Sequence, residues 1–161
     1  MRAKLTKLFA VVAALVIAAS LTACAKSDTG KTNQPAASGG KDITIAKSQV
    51  TDKAVFIPYE AGGVKMEVIA VKAPDGTIRT AFNTCQVCFD SGRGYYVQSG
   101  DKLICQNCGN QFKISQIEKQ KNGCNPVPIL EGNKNDNGTT ITIPGNFLEQ
   151  NTALFANWKT R

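Results

Sequence analysis

The sequence predicts an all-β domain with two metal-binding loops and a C-terminal helix. Three observations indicate this fold class. Short segments rich in β-branched and aromatic residues follow one another from Asp42 onward. Two Cys-x-x-Cys pairs, Cys85/Cys88 and Cys105/Cys108, are separated by sixteen residues. Near the C-terminus, apolar residues recur close to helical spacing. With 161 residues, of which 42% are hydrophobic, the chain can bury one ordinary core.

The first element, residues 1–23, is predicted to be an export signal. MRAKLTK carries three cations and no acid, LFAVVAALVIAASL is an apolar run of fourteen, and small residues precede Cys24. This order is typical of a signal peptide, with its charged n-region, apolar h-region and cleavage site. A membrane-spanning helix needs about twenty apolar residues, so the run is short for one. An ordinary secretory signal with a chance cysteine and an uncleaved anchor are the alternatives.

The last three residues of this element and the cysteine that follows, Leu21-Thr22-Ala23-Cys24, resemble a bacterial lipobox. The resemblance implies cleavage before Cys24 and attachment of a diacylglyceryl group to its thiol. The mature protein would then be a lipoprotein, extracytoplasmic and anchored to the bacterial cell membrane through Cys24.

The second element, residues 24–41, is predicted to be a flexible tether. It has almost no large apolar side chain, so it cannot bury enough surface to offset its ordering entropy. The whole chain has 19 basic and 12 acidic residues, a net charge of +7, and loss of Arg2, Lys4 and Lys7 with the signal leaves +4. The remaining cations are scattered without a basic run, which argues against a nucleic-acid partner.

Residues 42–161 are predicted to form the Cys-rich metal-binding domain. The strand-like segments, separated by Gly-rich or Asp-containing turns, are AVFIPYE, VKMEVIAVK, TIRTAFN, YYVQ, KLI and TTITI, with an extended NPVPIL. In VKMEVIAV the apolar alternation is partial, which indicates one core face and one half-covered face. A closing amphipathic helix is predicted from the spacing of Phe147, Leu148, Leu154, Phe155 and Trp158.

The four paired cysteines form a strong metal-binding pattern. A Cys-x-x-Cys turn places two sulfurs within reach of one metal, and two such turns complete a tetrahedron of thiolates. Gly109, directly after the second pair, permits the positive φ that lets backbone amides point at sulfur. Two disulfides are the alternative, since exported proteins meet oxidising conditions. They would leave Cys124 unpaired.

The chain contains no histidine, and this limits the kinds of catalytic and metal site that it can form. It excludes Ser-His-Asp and Cys-His catalysis and metal-water sites with imidazole ligands. No hydrolytic or transferase site is evident. All-thiolate sites favour zinc, iron-sulfur clusters or copper(I). A zinc ion in four thiolates has no open position, so a zinc site here would be structural.

Two segments resemble Rieske proteins. CQNCGNQF, residues 105–112, is similar to the second Rieske loop, Cys-x-x-His-Gly-x-x-Phe, with Cys108 in place of the histidine. Residues 73–88 are similar to the lead into the first loop, with Cys88 in place of the other histidine. The resemblance covers roughly residues 64–130 and implies a Rieske-like small sandwich or barrel whose two loops meet at the metal. Four thiolates would lower the potential relative to a site with two imidazoles.

A broader resemblance covers residues 83–128. The order NTCxxC, GYY, ICxxCG and GCNPxP resembles the FtrD-like membrane iron-sulfur family, named for a component of a bacterial ferrous-iron transport system. This resemblance implies that an iron-sulfur cluster is bound by the metal ligands Cys85, Cys88, Cys105 and Cys108. Cys124 and Gly109 would then either provide an additional ligand or lie next to the site. Cys124 as a buried apolar residue is the alternative.

Two functions from different classes follow. One is a membrane-anchored extracytoplasmic metal-binding lipoprotein, an iron-sulfur electron-transfer or iron-uptake accessory protein with a membrane redox or metal-transport partner. The alternative is a structural-zinc β domain that acts as a partner-binding module. A thiol-exchange oxidoreductase ranks third, because no segment resembles the βαβ setting of thioredoxin.

Overall fold

A computed structural model describes residues 40–121 and 123–160 of the protein. The predicted signal peptide, residues 1–23, and all but the last two residues of the predicted tether, residues 24–41, lie outside the described residues. Within the described ranges, ten strands form three antiparallel sheets. The strands are β1 Ile43–Ala46, β2 Val55–Ala61, β3 Val64–Lys72, β4 Ile78–Cys85, β5 Tyr96–Ser99, β6 Lys102–Cys105, β7 Gln111–Lys113, β8 Pro126–Pro128, β9 Asn135–Asp136 and β10 Thr140–Ile143.

The central sheet has the strand order β2-β3-β4-β8. A tight hairpin joins β2 to β3 at Gly62 and Gly63, whose φ angles of 55° and 79° suit a two-residue turn. The fourth strand, β8, comes from much later in the chain and pairs with β4, where Pro126 lies opposite Cys85. The two smaller sheets have the orders β1-β10-β9 and β5-β6-β7.

Both faces of the central sheet are covered, so the core has two parts. On β3, Val68 and Ala70 belong to a cluster with the β1-β10-β9 sheet and the C-terminal segment. The residues that alternate with these two along the strand, Ile69 and Val71, belong to a second cluster with the β5-β6-β7 sheet. Because successive residues of a strand point to opposite faces, a strand covered on both sides shows little polar alternation. This explains the partial alternation of VKMEVIAV.

The predicted C-terminal helix is present but short. Helix α1 spans Gly145–Gln150, and a 3₁₀ turn over Thr152–Phe155 follows. Asn151 Nδ2 donates to the Phe147 carbonyl at 2.7 Å, and the Thr152 hydroxyl donates to the Glu149 carbonyl at 3.0 Å. Such side-chain bonds to the backbone compete with helix continuation, so the helix ends here.

The predicted fold class is confirmed. The strands of the described ranges form a layered arrangement of open sheets and do not close into a barrel. Strands β1, β7 and the two-residue β9 were not predicted, because they are short and lie beside polar segments. In the part of the chain that the structure describes, none of the helices is long and apolar enough to cross a membrane.

Candidate metal centre

Three strand ends meet at the cysteines. The first Cys-x-x-Cys turn begins at Cys85, the last residue of β4, and the second begins at Cys105, the last residue of β6. Cys124 lies two residues before β8. Because β8 pairs with the end of β4, and β5 connects the first turn to β6, the topology brings all three segments to one place.

The sulfur atoms of five cysteines lie close together. The Sγ atoms of Cys85, Cys88, Cys105 and Cys124 are all within 4.8 Å of one another. The Cys124 sulfur is 3.2 Å from that of Cys85 and 3.0 Å from that of Cys108. All five are free thiols in the structure. The structure thus brings together both predicted pairs and adds Cys124 between them, while Cys24 lies outside the described residues.

Backbone amides point at the sulfurs of both turns. The N–H groups of Val87 and Cys88 donate to the Cys85 sulfur. In the second turn, the N–H groups of Asn107 and Cys108 donate to the Cys105 sulfur. Such bonds stabilise thiolates and orient them toward a common centre.

Gly109 and Gly94 shape the backbone around the turns. Gly109 has a φ of 73°, in the left-handed region that glycine adopts without strain. The carbonyl of Gly94 accepts a hydrogen bond from the Cys85 N–H at 2.6 Å. A Cβ at Gly94 would collide with the carbonyl of Cys88 and lie 2.9 Å from the Cα of Phe89. The first turn therefore packs against a position that only glycine fits.

Two hydrogen bonds tie the Cys124 segment to the two turns. The N–H of Gln86, inside the first turn, donates to the carbonyl of Asn125 at 3.0 Å. The side-chain amide of Asn110, just after the second turn, donates to the carbonyl of Cys124 at 2.7 Å. Neither asparagine was predicted from the sequence. The feature of the sequence that could have identified them is their position, directly after CxxCG for Asn110 and inside GCNP for Asn125.

The surroundings shift the pKa values of the thiols in different directions. Burial raises the pKa of Cys88 to about 11, and it also raises the pKa values of Cys105 and Cys124. At Cys85, burial opposes ionisation, but donors from Tyr96 and the backbone outweigh it and the pKa is lowered. A hydrogen bond from Cys124 lowers the pKa of Cys108. Buried thiols with raised pKa values need a cation to become thiolates, which is what a bound metal provides.

Tyr96 is the buried polar neighbour of the sulfurs. Its hydroxyl lies 3.7 Å from the Cys124 sulfur and donates to Cys85, and its side chain is fully buried. Its N–H donates to the Asn83 side chain at 2.7 Å, which fixes the start of β5. Tyr95 and Tyr96 both belong to YYVQ, a segment predicted to be a strand. Only Tyr96 faces the thiols, whereas Tyr95 lies beneath the ammonium group of Lys159.

One side of the site reaches the protein surface. Cys108 is exposed, and Val87, at the tip of the first turn, is 60% exposed. By contrast, Cys85 and Cys105 are buried against the core cluster of the β5-β6-β7 sheet. The thiol cluster of these five cysteines is therefore closed toward the core and open toward solvent at the second turn.

Comparison with protein families finds a match that covers most of the chain. The family model described as "Membrane iron-sulfur containing protein FtrD-like" matches residues 35–155, which include all five of these cysteines. Searches of curated proteins and of solved structures found no significant match.

Proposed function

Because the chain belongs to the FtrD-like family of membrane iron-sulfur containing proteins, we propose that it is a lipid-anchored iron-sulfur protein at the extracytoplasmic face of a bacterial membrane. It exchanges electrons with a redox or metal-uptake partner in that membrane. The observation that carries the proposal is the convergence of five thiols from three separate segments.

The chemistry of the donors suits this cofactor. Thiolates select zinc, copper(I) and iron-sulfur centres among the common metals, and the family description selects iron-sulfur from this group. Cys85, Cys88, Cys105, Cys108 and Cys124 are available to hold it, and the amides of both turns donate to sulfur. When bound, such a centre supplies one-electron transfer at a potential that thiolate charge keeps low.

The exposure of the site supports electron exchange with another protein. Cys108 and Val87 place one edge of the thiol cluster at the surface. An electron can therefore pass between a centre held by the thiol cluster and a docked partner without crossing the core. The lipobox-like residues before Cys24 support anchoring at the membrane, where such a partner would lie.

Anaerobic purification of the full chain in detergent tests the proposal. We expect brown protein that contains iron and whose visible absorption bleaches on addition of dithionite. The Cys105→Ser variant, prepared in parallel, should be colourless, because metal binding requires the thiolate. A colourless wild-type protein that contains only zinc would contradict the proposal and favour the structural-zinc module.

A further inference from the structure

We infer that Tyr95, Trp158 and Glu67 form a binding site for a lysine ammonium group of a partner protein, and that Lys159 of the chain itself fills this site in the structure. We call the three residues the aromatic cage. The inference goes beyond the proposed function, because the aromatic cage contains no cysteine and recognises a protein side chain rather than a metal.

The ammonium group of Lys159 shows which chemistry the aromatic cage accepts. Its Nζ lies 4.2 Å from the centre of the Trp158 ring and 5.2 Å from the centre of the Tyr95 ring. Both distances fall within the range of about 6 Å over which an aromatic face attracts a cation. The Glu67 carboxylate lies 3.3 Å from the same nitrogen. Two ring faces and a carboxylate therefore surround one ammonium group.

Two walls of the aromatic cage are held by contacts that do not involve Lys159. The indole N–H of Trp158 donates to the carbonyl of Asn83 at 2.7 Å, and the indole ring packs edge-on against Phe155. The side-chain amide of Asn83 donates to Glu67 Oε2 at 2.6 Å. Because Asn83 is itself buried, it holds both walls from below. These walls would keep their positions if Lys159 turned away.

Lys159 is an occupant that another ammonium group can replace. Its φ of 53° lies in the left-handed region, which is uncommon for a residue with a side chain, and its side chain is 40% exposed. The Glu67 side chain is only 14% exposed, so its charge is costly without a cation beside it. A partner that supplies the cation keeps Glu67 compensated and allows Lys159 to leave its unfavourable backbone conformation.

Grooves on both sides of Lys159 suit an extended segment of a partner protein. Glu67 and Lys159 line both grooves, and most of the remaining lining is apolar. The apolar side chains are Pro58, Tyr59 and Met66 in one groove and Phe56 and Val97 in the other. A lysine between two apolar residues would place its ammonium group in the aromatic cage and its neighbours in the grooves. A lipid headgroup fits less well, because its phosphate would lie beside the acidic Glu67.

The aromatic cage lies beside the thiol cluster. The carbonyl of Tyr95 accepts from the N–H of Gln106, inside the second Cys-x-x-Cys turn, at 2.8 Å. The next residue, Tyr96, contacts the sulfurs. A partner protein that places a lysine in the aromatic cage is therefore held next to the thiol cluster.

The fluorescence of Trp158, the single tryptophan of the chain, reports directly on the aromatic cage. The full chain, in a maltoside detergent that carries no ammonium group, is titrated with acetyl-Leu-Lys-Leu-amide. We expect Lys159→Ala to bind this peptide at least tenfold more tightly than the wild type, because the wild-type ammonium group competes for the same walls. The same peptide with an acetylated lysine should bind neither protein. Absence of a saturable change in Lys159→Ala, or equal binding of the two peptides, would overturn the inference.

Two further variants separate the aromatic cage from a general effect of charge. In the Lys159→Ala background, Glu67→Gln should weaken binding of the charged peptide at least tenfold. Lys113→Ala, which removes an exposed ammonium group from β7, should bind it as the wild type does. Unchanged affinity in the Glu67→Gln double variant would overturn the inference. Tighter binding by Lys113→Ala would also overturn it, since the loss of any cation would then be sufficient.

A competition experiment distinguishes a protein source of the ammonium group from a lipid source. Glycerophosphoethanolamine, which carries the headgroup of an ethanolamine lipid, is added to Lys159→Ala with the charged peptide bound. We expect no displacement at a concentration equal to that of the peptide. Full displacement would overturn the assignment of a protein partner.

Discussion

At the scale of single residues, Tyr96 affects the electrostatics of the thiol cluster. Its hydroxyl is buried and donates to sulfur. Burial raises its pKa above the ordinary tyrosine range, so it remains a proton donor at all physiological pH values. A donor to a thiolate withdraws negative charge from the centre, and such bonds are among the determinants of the potential of iron-sulfur sites.

We therefore expect Tyr96→Phe to lower the reduction potential of the bound centre, because the thiolates lose a donor. The measurement is a redox titration of the purified chain monitored by visible absorption. Tyr95→Phe is the matched control, since the neighbouring hydroxyl belongs to a ring that faces Lys159. Equal potentials for Tyr96→Phe and wild type would show that this hydroxyl has no effect on the centre.

At the scale of elements, the first Cys-x-x-Cys turn depends on its contact with Gly94. We expect Gly94→Ala to destabilise the fold by about 2 kcal/mol and to reduce bound iron, because the added methyl collides with the backbone of the turn. Chemical denaturation and iron analysis measure the two effects. Gly132→Ala is the control, since its Cβ would meet open space, and it should change neither. Full iron binding by Gly94→Ala would show that the turn tolerates displacement.

A buried ion pair fixes the segment that leads to Cys124. Glu118 accepts from Lys134 Nζ at 2.5 Å and from the Thr80 N–H at 2.6 Å, and thereby joins this segment to β4. The side chains of Glu118 and Lys134 are only 12% and 7% exposed. Breaking such a pair leaves a charge buried without its partner.

Glu118→Ala is accordingly expected to lower the free energy of unfolding by about 3 kcal/mol. The exposed Glu131→Ala is its control and should lie within about 0.5 kcal/mol of wild type. Urea denaturation compares the two variants. Equal stability of both would mean that the pair contributes nothing to the fold.

At this scale, the local sequence pattern predicted many of the strands. Long-range contacts determine the elements that it did not predict. The segments that became β2, β3, β4 and β6 are rich in β-branched residues, and their local composition is sufficient evidence for a strand. Strand β7 has only three residues, and it forms through pairing with β6 rather than through propensity. The predicted C-terminal helix was too long because Asn151 and Thr152 make side-chain bonds to the backbone.

At the scale of the whole molecule, the proposed lipid anchor at Cys24 would link the domain to the membrane. We expect Cys24→Ala to leave an unprocessed precursor without lipid, since the thiol is the predicted site of attachment. The iron content of the folded domain should be unchanged. Labelling of cells with a radioactive fatty acid and iron analysis of the purified protein measure both. Loss of iron in this variant would show that Cys24 belongs to the metal centre.

The site as a whole was predictable only in part. The spacing within each Cys-x-x-Cys pair is a local property, so both turns could be identified directly. The position of Cys124 depends on β8 pairing with β4, which are far apart in sequence, and on Asn110 at the other turn. Such non-local contacts leave no periodic signal. For the same reason, the sequence did not indicate which side of β5 faces the thiols. The difference between Tyr95 and Tyr96 is therefore visible only in the fold.

X-ray absorption at the iron edge of the anaerobically purified full chain tests the central claim most directly. The claim is that converging cysteines, and no other donor type, hold iron in this protein. We expect a first shell made of sulfur alone. A first shell that contains oxygen or nitrogen, or a chain without iron, would contradict it.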